Sequence, residues 1–480
     1  MNYNFHRSVP MISSIQARLP RLSWSGPAAL ALVTVLQLSA SCSTPRKCTA
    51  PDLHLPDEIM ADRVVDSLCI ADLKWTELIS DSLLTELIHR TLERNKDMLI
   101  AADRVNELRD LHRVAKSAWY PGLDARGYIT HELNQNAAGE KKIKVEPGLK
   151  ASLSWELDFF GRIRQQNKGA MADYMASIEA QRATQMTLIA AVSTAYFELI
   201  ALDNELNIVK RTLKTREENV RHAKLRFEGG LTTEIPYQQS QVEYARTASL
   251  VPELEKKIQM KENELSLLAG DYPSTVQRSQ NTSRQNFPLM DQIGIASELV
   301  QRRPDLRAEE QKLKSAAADV GVAWANRFPN FRINLQGGLE NNGIENFFSS
   351  PWTYVLGEIT SPLFHFNKHR AKYKASIQAY EQQKHKYEQK VLEAFKEVND
   401  AVVTYQTTRE KVELMANLKE ASQKYVELTR YQLQTGFIQY IDILDAQRSY
   451  FNAEIDYSNA LRDEYLAIIK LYKALGGGWQ

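Results

Sequence analysis

The chain has 480 residues, 43% of them hydrophobic, with 60 Lys and Arg against 59 Asp and Glu. That length exceeds one ordinary domain, and no long apolar run occurs apart from one near the start, itself too short to span a bilayer, which excludes a helical membrane protein. Charges balance and are interspersed rather than blocked, which argues against nucleic acid as a partner.

Arg7, Arg18 and Arg21 precede an apolar run from Ala28 to Leu38, after which Ser39-Ala40-Ser41 leads to Cys42. Residues 1–41 are therefore predicted to be a targeting segment, with Met11 as a second candidate start. Small residues directly before a Cys resemble the bacterial lipobox, in which Cys42 becomes the acylated first residue and anchors the chain through buried CH₂ groups. An ordinary secretory signal with an incidental Cys is the alternative. Cys48 and Cys69 remain, as one disulfide or two thiols. No His pair accompanies them, so no metal site is expected.

Residues 42–80, with three prolines between Thr44 and Lys74, show no sustained period and read as an extended segment. From Asp81 the apolar spacing is helical, and a second helix is predicted from Asp97 to Ala118, before Tyr120-Pro121-Gly122. From Val145 to Phe159 every odd position is apolar or Pro, while Glu146, Lys150, Ser152, Ser154, Glu156 and Asp158 fill even positions. This is a strand with one greasy face, long enough to cross a bilayer when tilted. Leu123 to Ile129 alternates more weakly, so a hairpin is predicted over about 122–159, across a polar loop around Asn134 to Lys144. A hairpin lying on a soluble core is the alternative.

Helical periodicity then runs from Arg162 to Glu228, which at about 1.5 Å per residue is a rod of roughly 100 Å. It turns at Gly229-Gly230 and returns to about Leu268, with Pro236 in the first turn and Pro252 as an expected kink. Residues 81–270 form one predicted unit, and 271–296, polar with Pro273 and Pro288, a linker.

Residues 297–475 repeat the layout. Arg302-Arg303-Pro304-Asp305-Leu306 opens a helix at an offset of 208 from Arg94-Asn95-Lys96-Asp97, and Pro329 answers Pro121. A second hairpin is predicted over about 330–363. Leu363-Phe-His-Phe366-Asn367-Lys368 aligns with Leu157-Asp-Phe-Phe160-Gly161-Arg162, and Gly436 with Gly230, both at an offset of 206. No Pro or Gly separates Leu363 from Thr435, so a second rod is predicted, turning at Gly436. Residues 476–480 form a C-terminal tail. A period near two hundred is too long for a solenoid unit and indicates a duplicated half. Four strands cannot close a channel or hide their own edges from lipid, so closure requires further copies.

Arg303-Pro304-Asp305-Leu306 with Ala308-Glu309, the Gly436 turn followed by Asp442-Ile-Leu-Asp445-Ala-Gln-Arg448, the duplicated layout and the Cys42 lipobox together resemble the outer-membrane efflux proteins. These are the TolC-like channel-tunnels, here of the lipoprotein branch that includes OprM, CusC and NodT. The resemblance implies an α+β fold: a homotrimer in which each chain gives four strands to one twelve-stranded transmembrane β-barrel, continued by a long periplasmic α-helical barrel. It implies that the turns at Gly229, Gly230 and Gly436 form the periplasmic entrance and touch a periplasmic adaptor, and that Asp442 and Asp445 form carboxylate rings at the constriction. Rings of like charge favour bound cations. From spacing alone, Asp442 could equally cap or solvate the return helix and Asp445 pair with Arg448. In TolC a Tyr and an Arg beside the turn latch the closed gate. The matching Leu433 and Ile438 cannot make those links, which leaves Arg430, Tyr440 or Arg448 as candidates.

There is no Walker-type loop, nucleophile elbow or His pair at metal spacing, so neither an enzyme nor a cofactor is expected. The expected function is a passive exit duct for small molecules (drugs, toxic compounds or metal ions). It would be lipid-anchored in the outer membrane with a large periplasmic portion, and driven through an adaptor by an inner-membrane pump of the resistance-nodulation-division type. A type I protein-secretion conduit and an envelope-spanning coiled-coil lipoprotein without a pore are the alternatives.

Overall fold

The structure, a computed structural model, describes residues 48, 51, 73–135, 141–279, 301–340, 348–349, 351–362, 366–435 and 437–479. Cys42, Cys69 and Gly436 lie outside the described residues.

Helix α1 is one turn, Trp75–Leu78, within the stretch expected to be extended. A single turn shows no period in a sequence. It is held by burial of Trp75 and Leu78 and by the Glu77 carboxylate, which accepts from the Lys74 N–H at 3.3 Å. Helix α2 (Ser82–Arg94) starts on Asp81 and α3 (Lys96–Ser117) on Asn95, each side-chain oxygen accepting two backbone N–H groups of the first turn. Strands β1 (Gly122–Gln135) and β2 (Lys141–Leu157) follow, then α4 (Arg162–Glu228) and its return α5 (Ile235–Leu268), which contains Pro252. The second half gives α6 (Pro304–Ala325), with Pro304 in the first turn, and β3 (Asn330–Glu340). It ends with β4 (Pro351–Thr360), α7 (Lys368–Gln434) and α8 (Tyr440–Ala474). Helices α4 and α7 are each 67 residues long, and α3 and α6 each 22.

The strands form one antiparallel sheet in the order β1-β2-β3-β4. Its register opposes Leu123 with Leu153, Leu153 with Leu335 and Leu335 with Val355. Because side chains alternate across a strand, this places Leu123, Ile129, Leu149, Trp155, Ile333, Leu335, Val355 and Ile359 on one face and Arg126, Lys150, Ser152, Glu156, Arg332, Asn334 and Glu358 on the other. The apolar face is uncovered: Leu123 is 72% and Ile129 75% exposed. Among the described residues, strands β1 and β4 each leave one edge unpaired. Strand β1 also runs past the expected Ile129, into the stretch expected to be loop. Backbone pairing from Thr130↔Glu146 to Gln135↔Lys141 needs no apolar alternation to persist.

Below the sheet, α4 packs against α3, α5, α6 and α8, and α7 against α6 and α8. Helix α4 contains an apolar window of membrane-spanning length, but more than half of it is buried by these neighbours, so it is a core helix. Val192, Tyr196 and Leu199 of α4 join Leu84, Leu306, Val398 and Leu471 in the main core. The described start of the expected linker is strapped down. Arg278 reaches Asp203 and Glu262, and the Ser279 N–H donates at 3.1 Å to the Tyr196 hydroxyl, which donates in turn to Asp81 at 2.9 Å. The tail is also packed: Gly476, Gly477 and Gly478 are buried, and Trp479 lies 4.8 Å and 5.7 Å from the guanidinium carbons of Arg182 and Arg307.

Candidate channel gate

Farthest along the chain from the sheet, each rod reverses through a turn of the same build. After α4, Gly230 takes φ +72°, and the Leu231 N–H donates back to the Arg226 carbonyl at 2.9 Å. After α7, the Phe437 N–H donates to the Gln432 carbonyl at 3.1 Å, at an offset of 206 from the first bond. The intervening Gly436 lies outside the described residues. Leu231 and Phe437, exposed on both turns, project apolar surface into solvent.

Between the turns lies a cleft of about 890 Å³, lined on one side by His222, Arg226, Thr232 and Pro236 and on the other by Arg430, Leu433, Ile438 and Tyr440. Arg430 is exposed at its wall. The Thr232 hydroxyl is buried without a partner among the described residues. Tyr440, the first residue of α8, crosses to the first half: its hydroxyl lies 2.7 Å from the Ser240 hydroxyl on α5. Burial pushes the Tyr440 phenol up, opposed by Ser240 and the Arg226 charge.

Asp442 turns its carboxylate back onto the start of α8, accepting from the Gln439 N–H at 2.8 Å, so its local capping role is realised. Asp445, one turn on, is exposed. Arg448 does not pair with Asp445, as local spacing allowed; its guanidinium meets Glu243 of α5 at 2.8 Å. Glu243 is 6% exposed and holds Arg216 of α4 at 2.9 Å and, more loosely, Arg246 at 3.6 Å. Arg216 also donates to the Glu243 carbonyl at 2.6 Å, bonds Thr247 and stacks over Phe451. Burial pulls the Arg216 guanidinium down, Glu243 opposes this, and Arg448 and Arg246 add to the fall.

One buried carboxylate thus gathers three arginines from three helices, α4, α5 and α8. Sequence reading named Arg448 and Tyr440 but missed Glu243, Arg216 and Ser240. A usable signal existed: Arg216 and Glu243 lie nearly equidistant from Gly230, and residues equidistant from the turn of a helical hairpin face each other. Arg211 meets Glu454 at 2.6 Å farther from the tips and Asn219 meets Gln447 at 2.9 Å nearer to them, so the stitching of α4 to α8 runs on both sides of the cluster.

The sequence profile of the family described as Outer membrane efflux protein matches residues 87–271 and 295–477. OprJ, an outer membrane protein of Pseudomonas aeruginosa, is 30% identical over 473 residues, covering 95% of this chain and 96% of its own. SilC of Salmonella typhimurium, described as a probable outer membrane lipoprotein, is 28% identical over 460 residues, covering 94% and 98%. The crystal structure of CusC superposes with a TM-score of 0.82 at 25% identity, covering 91% of this chain and all of that one. With two profile matches, one on each half, and a shared architecture from strands to hairpin tips, the chain belongs to the outer membrane efflux protein family.

Proposed function

We propose that this outer-membrane protein is the passive exit duct of a tripartite efflux system. In this reading three copies join edge to edge, β4 of one to β1 of the next, so that three sets of four strands close a twelve-stranded barrel. The single observation that carries it is the sheet itself, whose apolar face is uncovered and whose two edges are unpaired among the described residues. Lipid would satisfy that face, and a neighbouring copy each edge.

The 67-residue helices α4 and α7 would carry the duct about 100 Å into the periplasm. The tips would be its gate: the Tyr440–Ser240 and Arg448–Glu243 contacts hold the second hairpin against the first, and release of either frees α8 to move outward. Asp445, exposed one turn beyond Asp442, would present carboxylates around the axis, with the second oxygen of Asp442 beside them, and favour cations. The Gly229-Gly230 and Gly436 turns, with Arg430 in the cleft between them, would meet a periplasmic adaptor, and an inner-membrane pump of the resistance-nodulation-division type would supply the energy. Cys42 would carry the acyl anchor. The cargo would be small molecules, selected by the pump rather than by the duct.

Single-channel recording of the purified, lipidated protein in planar bilayers tests this, alongside the Asp442→Ala, Asp445→Ala variant. Small, cation-selective openings that become larger or less selective in the variant are the expected result. No openings from a folded assembly would overturn the duct, and unchanged selectivity would overturn the carboxylate ring.

A further inference from the structure

We propose that the helix-side rim of the sheet is a seat for anionic phospholipid headgroups of the membrane leaflet facing the periplasm, a reading that rests on the sheet being the membrane segment.

The rim is marked by aromatic rings. Phe159 lies 4.7 Å from Phe331, and Phe160 lies 4.6 Å from Phe328. The Trp155 indole donates to the Trp119 carbonyl at 3.1 Å. Such rings settle where hydrocarbon meets headgroup, so side chains one to three helical turns beyond them lie at phosphate depth.

Two basic patches occupy that depth. The first two turns of α7 read Lys368-His-Arg370-Ala-Lys372-Tyr-Lys374, and no Asp or Glu occurs between Glu358 and Glu381. Lys368, Arg370, Lys372 and Lys374 are all exposed, and among the described residues none has an ion-pair partner. The aligned start of α4 is different. There Arg162 pairs with Glu156 at 2.5 Å, and Asp158 accepts from the Ile163 and Arg164 N–H groups. In the second half the position aligned with Asp158 is Phe364, so the charge balance that the first half makes internally is missing. In a chain whose net charge is only +1, that local excess calls for an anion from outside.

The second patch borders a cleft of about 690 Å³ between α3, α4 and α6. Lys116 and Lys168 line it without ion partners, Met171 and Met175 add apolar surface, and no carboxylate lines it among the described residues. The side-chain oxygen of Asn167 is buried there with no hydrogen-bond partner among the described residues. A phosphate for the lysines, a hydroxyl donor for Asn167 and an acyl chain against the methionines together describe a phosphatidylglycerol-type lipid. Basic side chains at an anionic surface act additively.

The test uses the full-length, assembled protein in nanodiscs of phosphatidylethanolamine with a minor share of phosphatidylglycerol, reading bound lipid by native mass spectrometry. Wild type is expected to retain phosphatidylglycerol above its bulk share. Lys368→Gln, Arg370→Gln, Lys372→Gln, Lys374→Gln combined, and separately Lys116→Gln with Lys168→Gln, are expected to weaken that retention about tenfold or more, with the melting temperature and conductance of the assembly unchanged. Equal retention in all proteins overturns the proposal, as does loss of retention on adding inorganic phosphate, which would mean a free-anion site. Failure of wild type to insert into any membrane would instead remove the reading of the sheet on which the proposal stands.

Discussion

Asn95 and Arg303 perform the same task one half apart: the Asn95 amide donates to the Leu268 carbonyl at 2.8 Å, and the Arg303 guanidinium to the Ala474 carbonyl at 3.1 Å. Each residue opens the short upper helix of its half and catches the last turn of the return helix below it, so α3 stacks on α5 and α6 on α8. A glycine follows each return helix in the left-handed region, Gly270 at φ +75° and Gly476 at φ +87°, backed by Arg94 and by Arg302 and Arg303 respectively. The duplication therefore extends to individual hydrogen bonds, although the residues that make them differ.

Arg303 carries more than Asn95. Its fork donates to both carboxylate oxygens of Asp305, at 3.0 and 2.8 Å, and reaches Glu397 at 2.7 Å. Arg303→Lys keeps the charge but loses the fork, and Arg303→Ala leaves Asp305 only the more distant Lys390, at 3.6 Å, and the Leu306 N–H. The alanine variant is expected to lose about 3 kcal/mol, the lysine variant less, and Asn95→Ala about 1 kcal/mol. Thermal unfolding of the detergent-solubilised assembly measures all three.

The same pair sets an acid limit. Burial alone would raise the Asp305 carboxyl, but the Arg303 hydrogen bonds and charge, with Lys390 and the Leu306 N–H, outweigh it and hold the group below its ordinary value of 3.8. A carboxyl lowered in the folded state contributes stability above its ordinary value and loses it as pH falls through the folded one. Melting temperature is therefore expected to be level in this contribution above about pH 5 and to fall below about pH 4. Asp305→Asn should melt lower at neutral pH and lack that part of the acid decline.

At the tips, Tyr440→Phe removes the contact with Ser240 and Arg448→Ala the one with Glu243. Each is expected to cost about 1 kcal/mol of the attachment of α8 to α5. In single-channel recordings both should raise conductance or open time, and the double variant should exceed either. The inner stitch between Arg211 and Glu454 provides the control, since Arg211→Ala leaves the tip contacts in place.

The sheet faces are tested by a matched pair. Leu149, between Gly127 and Leu339 in register, lies on the apolar face, and Ser152 on the polar one. Leu149→Arg is expected to cost about 2–4 kcal/mol of insertion and to deplete the protein from outer-membrane fractions. Ser152→Arg should insert normally.

The rods and strands were legible because their signals are local and repeated. Helix α4 begins after Gly161 and ends before Gly229, where an unbroken helical period meets its two glycine boundaries. Alternation from Val145 placed the apolar face of β2, and cross-strand register carried that face to the other three strands. What the sequence did not disclose lies in contacts between helices distant in the chain. Spacing suggested Asp445 as the neighbour of Arg448, three residues away; its actual partner, Glu243, is 205 residues away and buried beside Arg216. Helix α1 was missed because one turn cannot show periodicity, and the far end of β1 because polar strands are held by backbone pairing alone.

The two open edges of the sheet have a genetic consequence. In the proposed assembly, where each open edge is completed by another copy, each chain would be a link in a closed circle, joined head to tail. A chain spoiled on β1 but sound on β4 would still enter that circle, occupy its neighbour's edge and prevent closure. Such alleles should be dominant over the wild-type gene, whereas a chain lacking both edges should be silent beside it.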